Sequence, residues 1–395
     1  MKQKLKRIAI LTNIVNPYRS FFYQKFHDVC KENGIEFYVM CMGDHEPGRH
    51  WYYDDYKTDF SLLLPGKVGS LFGRFTYYYN PKVMDFIKKL NPDVLLMAGS
   101  YMFPTNWIAI KGCNIPIVYW NEAHKNEARN YNKVILGIRE FIRKTIFSRF
   151  SGFWYGGKMS KELINDYKRA NSQMYFLPNL IDCSAFSKIC NASTEEKGAI
   201  LEEYKLPTNK KLLICPARLN RVKGIHVFMD VLFKSKFKNK VCMLAVGDGD
   251  MEHELKEKAK KLNLDIRFLG YKEQEDVIRL YKVSDFFVMP SLSDPNPLTT
   301  IEALWGGKPL IVTTHVGNYP EAVMDGINGT VLDYSDMEKS VIALDTILSK
   351  DNKWMDNASK VSSKIAQTVY NPDYIIPKVI SQMKYDFEND ILKKI

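Results

Sequence analysis

A guanidinium and an ammonium stand five residues apart in Pro216-Ala-Arg218-Leu-Asn-Arg-Val-Lys223-Gly224, between a short apolar run and a helical pattern. One is a planar fork and the other a point charge, a pair suited to clamping a diphosphate; solvated loop cations would read the same. Further on, Asn296-Pro297 precedes Leu298-Thr299-Thr300-Ile301-Glu302, and Gly306-Gly307 and Pro309 follow. Asn296 as a cap, Pro297 at the first helical position and the closing glycines define a short helix. Its free N–H groups at Leu298, Thr299 and Thr300, with the positive end of the helix dipole behind them, make an anion site. Glu302 falls one turn beyond Leu298 on the same face, where a carboxylate can accept hydrogen bonds from vicinal hydroxyls; an ordinary surface glutamate is the alternative. Val246-Gly247-Asp248-Gly249-Asp250 lacks the third glycine of a dinucleotide fingerprint and reads as a tight strand-to-helix turn. Gly317, in Thr314-His-Val-Gly-Asn318, either lets a ligand approach the backbone or serves a turn.

Each of these clusters follows a β-like run, the place where open α/β sheets bind ligands. Short apolar runs alternate with helical patterns from Ile8 onward, and again from Leu212 to Thr313. The alternation predicts βαβ units and two doubly wound parallel sheets. A length of 395 residues exceeds what one core usually supports, and 46% hydrophobic residues supply two. The expected division is residues 1–182 and 183–370, with a polar linker from Asp182 to about Lys210 opening a cleft and residues 371–395 returning as a helix to the first half. Seven cysteines, never spaced C-x-x-C, fit reduced thiols and no metal site. The basic start stops at Thr12-Asn13 without a cleavage-like site, and no apolar stretch is long enough to span a bilayer, so a cytoplasmic chain is expected. A formal charge of +11 calls for an anionic partner. Lys133, Arg139, Arg143, Lys144 and Arg149 alternate with apolar residues, either a core helix with a solvated basic face or a membrane-surface contact.

Taken in order, R-L-x-x-x-K-G, G-D-G, F-L-G ending at Gly270, an acidic residue (Asp294) eight positions before Glu302, G-x-P and P-E resemble glycosyltransferase family 4, the retaining nucleotide-sugar transferases of GT-B fold. The resemblance is dense in the second half and thin in the first. It implies two Rossmann-like domains facing across a cleft. Arg218 and Lys223 would bind the donor diphosphate, Glu302 the ribose, the backbone from Leu298 to Thr300 the phosphates, and Gly270 would belong to the same donor site. Asp294 would reach the donor sugar, although the family has glutamate there, and glycine-aromatic-glycine where this chain has Pro295-Asn296-Pro297. His124 would contact the transferred sugar, as a plain surface or core histidine would not. Asn16, Tyr18, Arg19 and Glu122 would lie on the acceptor side. The function implied is transfer of a hexose from a UDP- or GDP-sugar to a glycan or lipid-diphosphate-linked acceptor, in surface polysaccharide assembly. It would need no metal, no other cofactor and no nucleic acid, and the chain would sit peripherally at the inner face of an anionic membrane. A nucleotide-sugar epimerase of the same architecture would show no acceptor dependence, and a non-catalytic basic binding module would show no nucleotide affinity.

Overall fold

The computed structural model describes residues 3–45, 52–71, 75–126 and 133–394. The first sheet is built from β1 (Arg7–Thr12), β2 (Glu36–Cys41), β3 (Ser61–Leu63) and, after the hairpin of β4 (Lys67–Leu71) and β5 (Phe75–Tyr79), from β6 (Val94–Met97), β7 (Ile117–Asn121), β8 (Gly152–Tyr155) and β9 (Gln173–Phe176). Its order is β3-β2-β1-β6-β7-β8-β9, parallel throughout. Between the strands run α1 (Pro17–Glu32), α2 (Tyr53–Tyr56), α3 (Val83–Leu90), α4 (Pro104–Gly112), α5 (Lys133–Phe147) and α6 (Lys158–Asn165). After α7 (Thr194–Glu203), the second sheet comprises β10 (Lys211–Pro216), β11 (Val241–Val246), β12 (Ile266–Phe268), β13 (Phe286–Met289), β14 (Leu310–Thr313) and β15 (Gly329–Leu332). Its order is β12-β11-β10-β13-β14-β15, again parallel. Interleaved are α8 (Ile225–Lys234), α9 (Glu252–Lys261), α10 (Gln274–Val283), α11 (Leu298–Trp305) and α12 (Tyr319–Ala322), followed by α13 (Met337–Leu348), α14 (Asn352–Val369) and α15 (Pro372–Glu388).

Side chains alternate across a strand, so each sheet feeds two cores. Ile8 and Ile10 of β1 enter one cluster while Ala9 and Leu11 enter the other; Leu212 and Ile214 of β10 divide from Leu213 and Cys215 in the same way. This two-sided burial is why the strands read as nearly unbroken apolar runs. The terminal helix does pack against the first half: Ile376, Ile380 and Met383 of α15 join the cluster of Ile8 and Ile10, and Tyr175 Oη donates to Asp386 at 2.9 Å.

Two expectations require correction. The segment from Asp182 to Lys210 is not simply a polar linker, because Phe186, Ile189, Ile200 and Leu206 bury in the core around Leu212. A 3-10 turn over Phe186–Asn191 and α7, capped by Ser193, give its backbone partners. The basic face of α5 is not wholly solvated either: Arg143 is buried, its guanidinium 5.3 Å from the Tyr167 ring centroid. The side chains of Lys133 and Cys190 lie outside the described residues; the other six cysteines are free thiols. No helix among the described residues is long and apolar enough to cross a membrane.

Candidate functional site

Strand order reverses between β1 and β6 and again between β10 and β13, so each sheet opens a crevice at its carboxyl edge. The two edges meet at a cleft of about 470 Å³. From the first half it is lined by Asn16, Tyr18 and Arg19 after β1 and by Glu122 after β7; from the second, by Arg218 and Lys223 after β10, Asp294 after β13, and Leu298 and Thr299 at the start of α11. Every strand named ends there because the sheets are parallel.

The loop after β10 is shaped by local chemistry. Asn220 accepts from Lys223 N at 3.2 Å, capping a 3-10 turn over Arg221–Lys223, and Gly224 follows at φ +67°. A Cβ on Gly224 would lie 2.0 Å from the carbonyl oxygen of Pro290, so both conformation and contact demand glycine. Leu292 N donates to Val222 O at 2.8 Å, drawing the loop after β13 onto this turn and bringing Asp294 to Lys223, Nζ to Oδ2 at 2.5 Å. Gly247 and Gly249 fit against the same loop: Cβ atoms there would strike Ala217 O at 2.3 Å and Leu219 O at 2.4 Å. The G-D-G segment is thus a turn packed under Arg218.

On the facing wall Asn16 caps α1, accepting from Arg19 N at 2.9 Å. The Arg19 guanidinium lies 3.8 Å from the Trp120 ring centroid and 3.2 Å from Glu122 Oε1. These pairings leave Arg218 and Lys272 as cleft cations without an ion-pair partner among the described residues. Positive charge is therefore offered on the second-half wall, beside the start of α11.

Other expected site residues lie elsewhere. Glu302 is 3% exposed and does not line the open cleft; its partner is the phenol of Tyr18, reaching over from the first half. Burial raises its carboxyl to about 7 against the lowering effect of that hydrogen bond. Tyr18 itself packs against the second half's core, so it belongs to both walls. Thr300 and His124 are buried behind the wall, the latter against Gly317, where a Cβ would meet Pro295 O at 1.8 Å and His124 Cδ2 at 2.7 Å. Gly317 therefore admits protein backbone. Gly270, at φ +69°, bridges to Gly247 and does not line the cleft.

Asn296 is not the helix cap. Pro297 holds that position without a side-chain hydrogen bond, and Asn296 turns its amide into the seam between the halves while its carbonyl accepts from Asn179 Nδ2 at 2.9 Å. Sequence reasoning passed over Tyr271 and Lys272 on the cleft wall and gave Asp248 only as part of a turn. Their signal was their place just past β11 and β12, the same edge rule that singled out Arg218. Among the described residues no three His, Cys, Asp or Glu side chains stand together as a metal site.

Residues 196–364 match the family described as Glycosyl transferases group 1. Alpha-monoglucosyldiacylglycerol synthase of Streptococcus pneumoniae is 24% identical over 250 residues, 60% of this chain and 55% of that protein. Mannosylfructose-phosphate synthase of Agrobacterium fabrum is 28% identical over 188 residues, 45% of this chain and 40% of that one. The chain thus spans about half the length, or less, of such curated relatives. Among solved structures, Anabaena Alr3699/HepE in complex with UDP and glucose superposes at TM-score 0.71 with 17% identity, over 96% of this chain and 100% of that one. Sucrose-phosphate synthase from Thermosynechococcus elongatus does so at 0.73 with 15% identity, over 97% and 100%. These likenesses establish the two-domain GT-B fold over 96% and 97% of the chain.

Proposed function

Because residues 196–364 match the glycosyl transferases group 1 family, we propose that the chain is a retaining glycosyltransferase using a nucleotide-diphosphate sugar. The observation that carries the reading is the wall where Arg218, Lys223 and the amino end of α11 face one cleft, opposite Asn16, Arg19 and Glu122. A diphosphate lies against the cations and the unpaired helix N–H groups of Leu298 and Thr299. Tyr271, 61% exposed at the rim, offers a ring face to a planar base. UDP is favoured over GDP because the structurally similar Anabaena protein binds UDP.

In the transfer, the bond from the anomeric carbon to the phosphate oxygen breaks, its electron pair leaving with the diphosphate. The acceptor hydroxyl forms the new bond on the same face, and its proton passes to the departing phosphate. Charge grows on the leaving group, and Arg218, Lys223 and the α11 dipole are placed to stabilise it. Lys223 must first leave Asp294, which frees that carboxylate for the sugar. The protein's own cations supply the positive charge, so the proposed transfer requires no divalent ion.

The acceptor is a glycan or lipid-diphosphate-linked glycan at a membrane surface. A groove of about 440 Å³ between α4 and α5 supports the membrane part: Trp107, Ile142 and the 72%-exposed Phe141 line it, with Lys111, Arg149 and Lys394 but no aspartate or glutamate at its edge among the described residues.

Thermal unfolding with UDP, GDP, ADP, CMP and NAD in EDTA, for wild type and Arg218→Ala, tests the reading. A specific ligand at about 100 times its Kd adds roughly 2.7 kcal/mol. Stabilisation of wild type by UDP or GDP, much reduced in the variant, is expected; no nucleotide effect would remove the proposal.

A further inference from the structure

We propose that Asn296 reads the transferred sugar, its side-chain amide giving that sugar hydrogen bonds which the flanking backbone cannot supply. The inference rests on the cleft being a nucleotide-sugar site. Pro295 and Pro297 stand on either side of Asn296, and neither has an N–H. Between Asp294 and Leu298 the backbone therefore has one donor, that of Asn296 itself. A glycine-aromatic-glycine sequence at these positions would have three.

Asn296 is 8% exposed and lines the cleft, and both polar atoms of its amide are buried with no hydrogen-bond partner. An unsatisfied buried amide is costly, so its persistence at a ligand cleft points to a partner that arrives with the ligand. The surroundings hold the residue by everything except that amide. Asn179 Nδ2 donates to its carbonyl at 2.9 Å, and Asn318 Nδ2 donates to that of Pro297 at 3.1 Å. Gly156 of the first half faces it with no side chain, where a Cβ would come within 2.7 Å of Asn296 Nδ2. Thr299 Oγ1, three residues on and also at the cleft, is likewise buried without a hydrogen-bond partner.

The chemistry of the group selects the substrate. A carboxamide carries an acceptor oxygen and two donor hydrogens, and so matches a hydroxyl, which both gives and accepts. It presents no charge to a carboxylate. The donor sugar is therefore a neutral, hydroxyl-bearing hexose rather than a uronic acid.

Calorimetric titration of the full chain with UDP, UDP-glucose, UDP-glucuronate, GDP and GDP-mannose tests this, in wild type, Asn296→Ala and the similarly sized Asn296→Leu. Both variants are expected to bind the parent diphosphate within about twofold of wild type, and its neutral sugar conjugate about 3- to 10-fold more weakly, the range for one neutral hydrogen bond. Wild type is expected to bind UDP-glucuronate more weakly than UDP-glucose if uridine is the base. Equal weakening of diphosphate and conjugate would reduce Asn296 to a structural part of the wall, and unchanged conjugate binding would mean its amide does not meet the sugar; either overturns the proposal. Tighter binding of the glucuronate overturns the assignment to neutral sugars. If neither UDP nor GDP binds wild type, the reading of the cleft itself fails and this proposal with it.

Discussion

Glu302 carries the most informative burial in the cleft. Its carboxyl titrates near 4.5 when exposed and at about 7 in the fold, raised by desolvation. Between those values the folded chain holds a proton that the unfolded chain has lost. The stabilisation from this group is therefore complete below about pH 4.5 and is lost as pH rises through 7. Glutamine mimics the protonated form, so the stability of wild type relative to Glu302→Gln should fall by something of the order of 3 kcal/mol between pH 5 and 8, read by urea unfolding without nucleotide. A flat difference would mean that water reaches the carboxylate. Lys223 makes a different prediction, because in the proposed transfer its interaction with the leaving group strengthens as the reaction proceeds. Lys223→Ala should lower kcat by about 10²- to 10³-fold and raise KM far less. Unchanged steady-state kinetics would exclude that role.

At the scale of elements, the turn from Asn220 to Gly224 decides where the ammonium points. Gly224 combines a left-handed conformation with a Cβ position 2.0 Å from Pro290 O. Gly224→Ala must therefore strain the backbone and push the loop after β13 away. We expect a loss of about 2 kcal/mol or more in stability, with weaker nucleotide binding because Lys223 and Asp294 separate. Normal stability and nucleotide affinity in this variant would show that the turn yields cheaply. The helix α11 makes the complementary case. Its position after β13 and its proline start leave N–H groups facing the cleft, and α14 packs against it from behind.

For the whole molecule, the question is how two similar halves are held as one. Tyr18 to Glu302, Asn179 to Asn296, and Glu321 Oε1 accepting from Lys158 N at 2.6 Å all cross the seam, and α15 ties the end of the chain to the first sheet. The groove between α4 and α5 lies at the amino ends of β7 and β8, the opposite end of the sheet from the cleft. A membrane held there leaves the cleft free to open and close. The full chain should co-sediment with vesicles containing anionic lipid at low salt and much less with neutral ones, and Phe141→Ser should weaken that binding while leaving UDP stabilisation intact. Absence of binding at low salt would count against a membrane-bound acceptor.

Much of this was legible in the chain alone. The βαβ alternation, both parallel sheets, the tight turn at Gly247 and the placing of Arg218 and Lys223 after a strand end follow from periodicity and local turn chemistry, which act over a few residues, whereas Asp294 was marked by the family resemblance. What tertiary structure decided is which of those groups face which partner. Asn296 looked like a cap from its neighbours and proved to be a buried amide in the seam; Tyr18, expected on the acceptor side, lines the cleft and also holds Glu302. Arg143 left the basic face for a site beside Tyr167, and the polar stretch before β10 buried its few apolar residues in a core. These outcomes depend on surfaces brought together from distant parts of the chain, where burial and the need to pair each polar group override local preference.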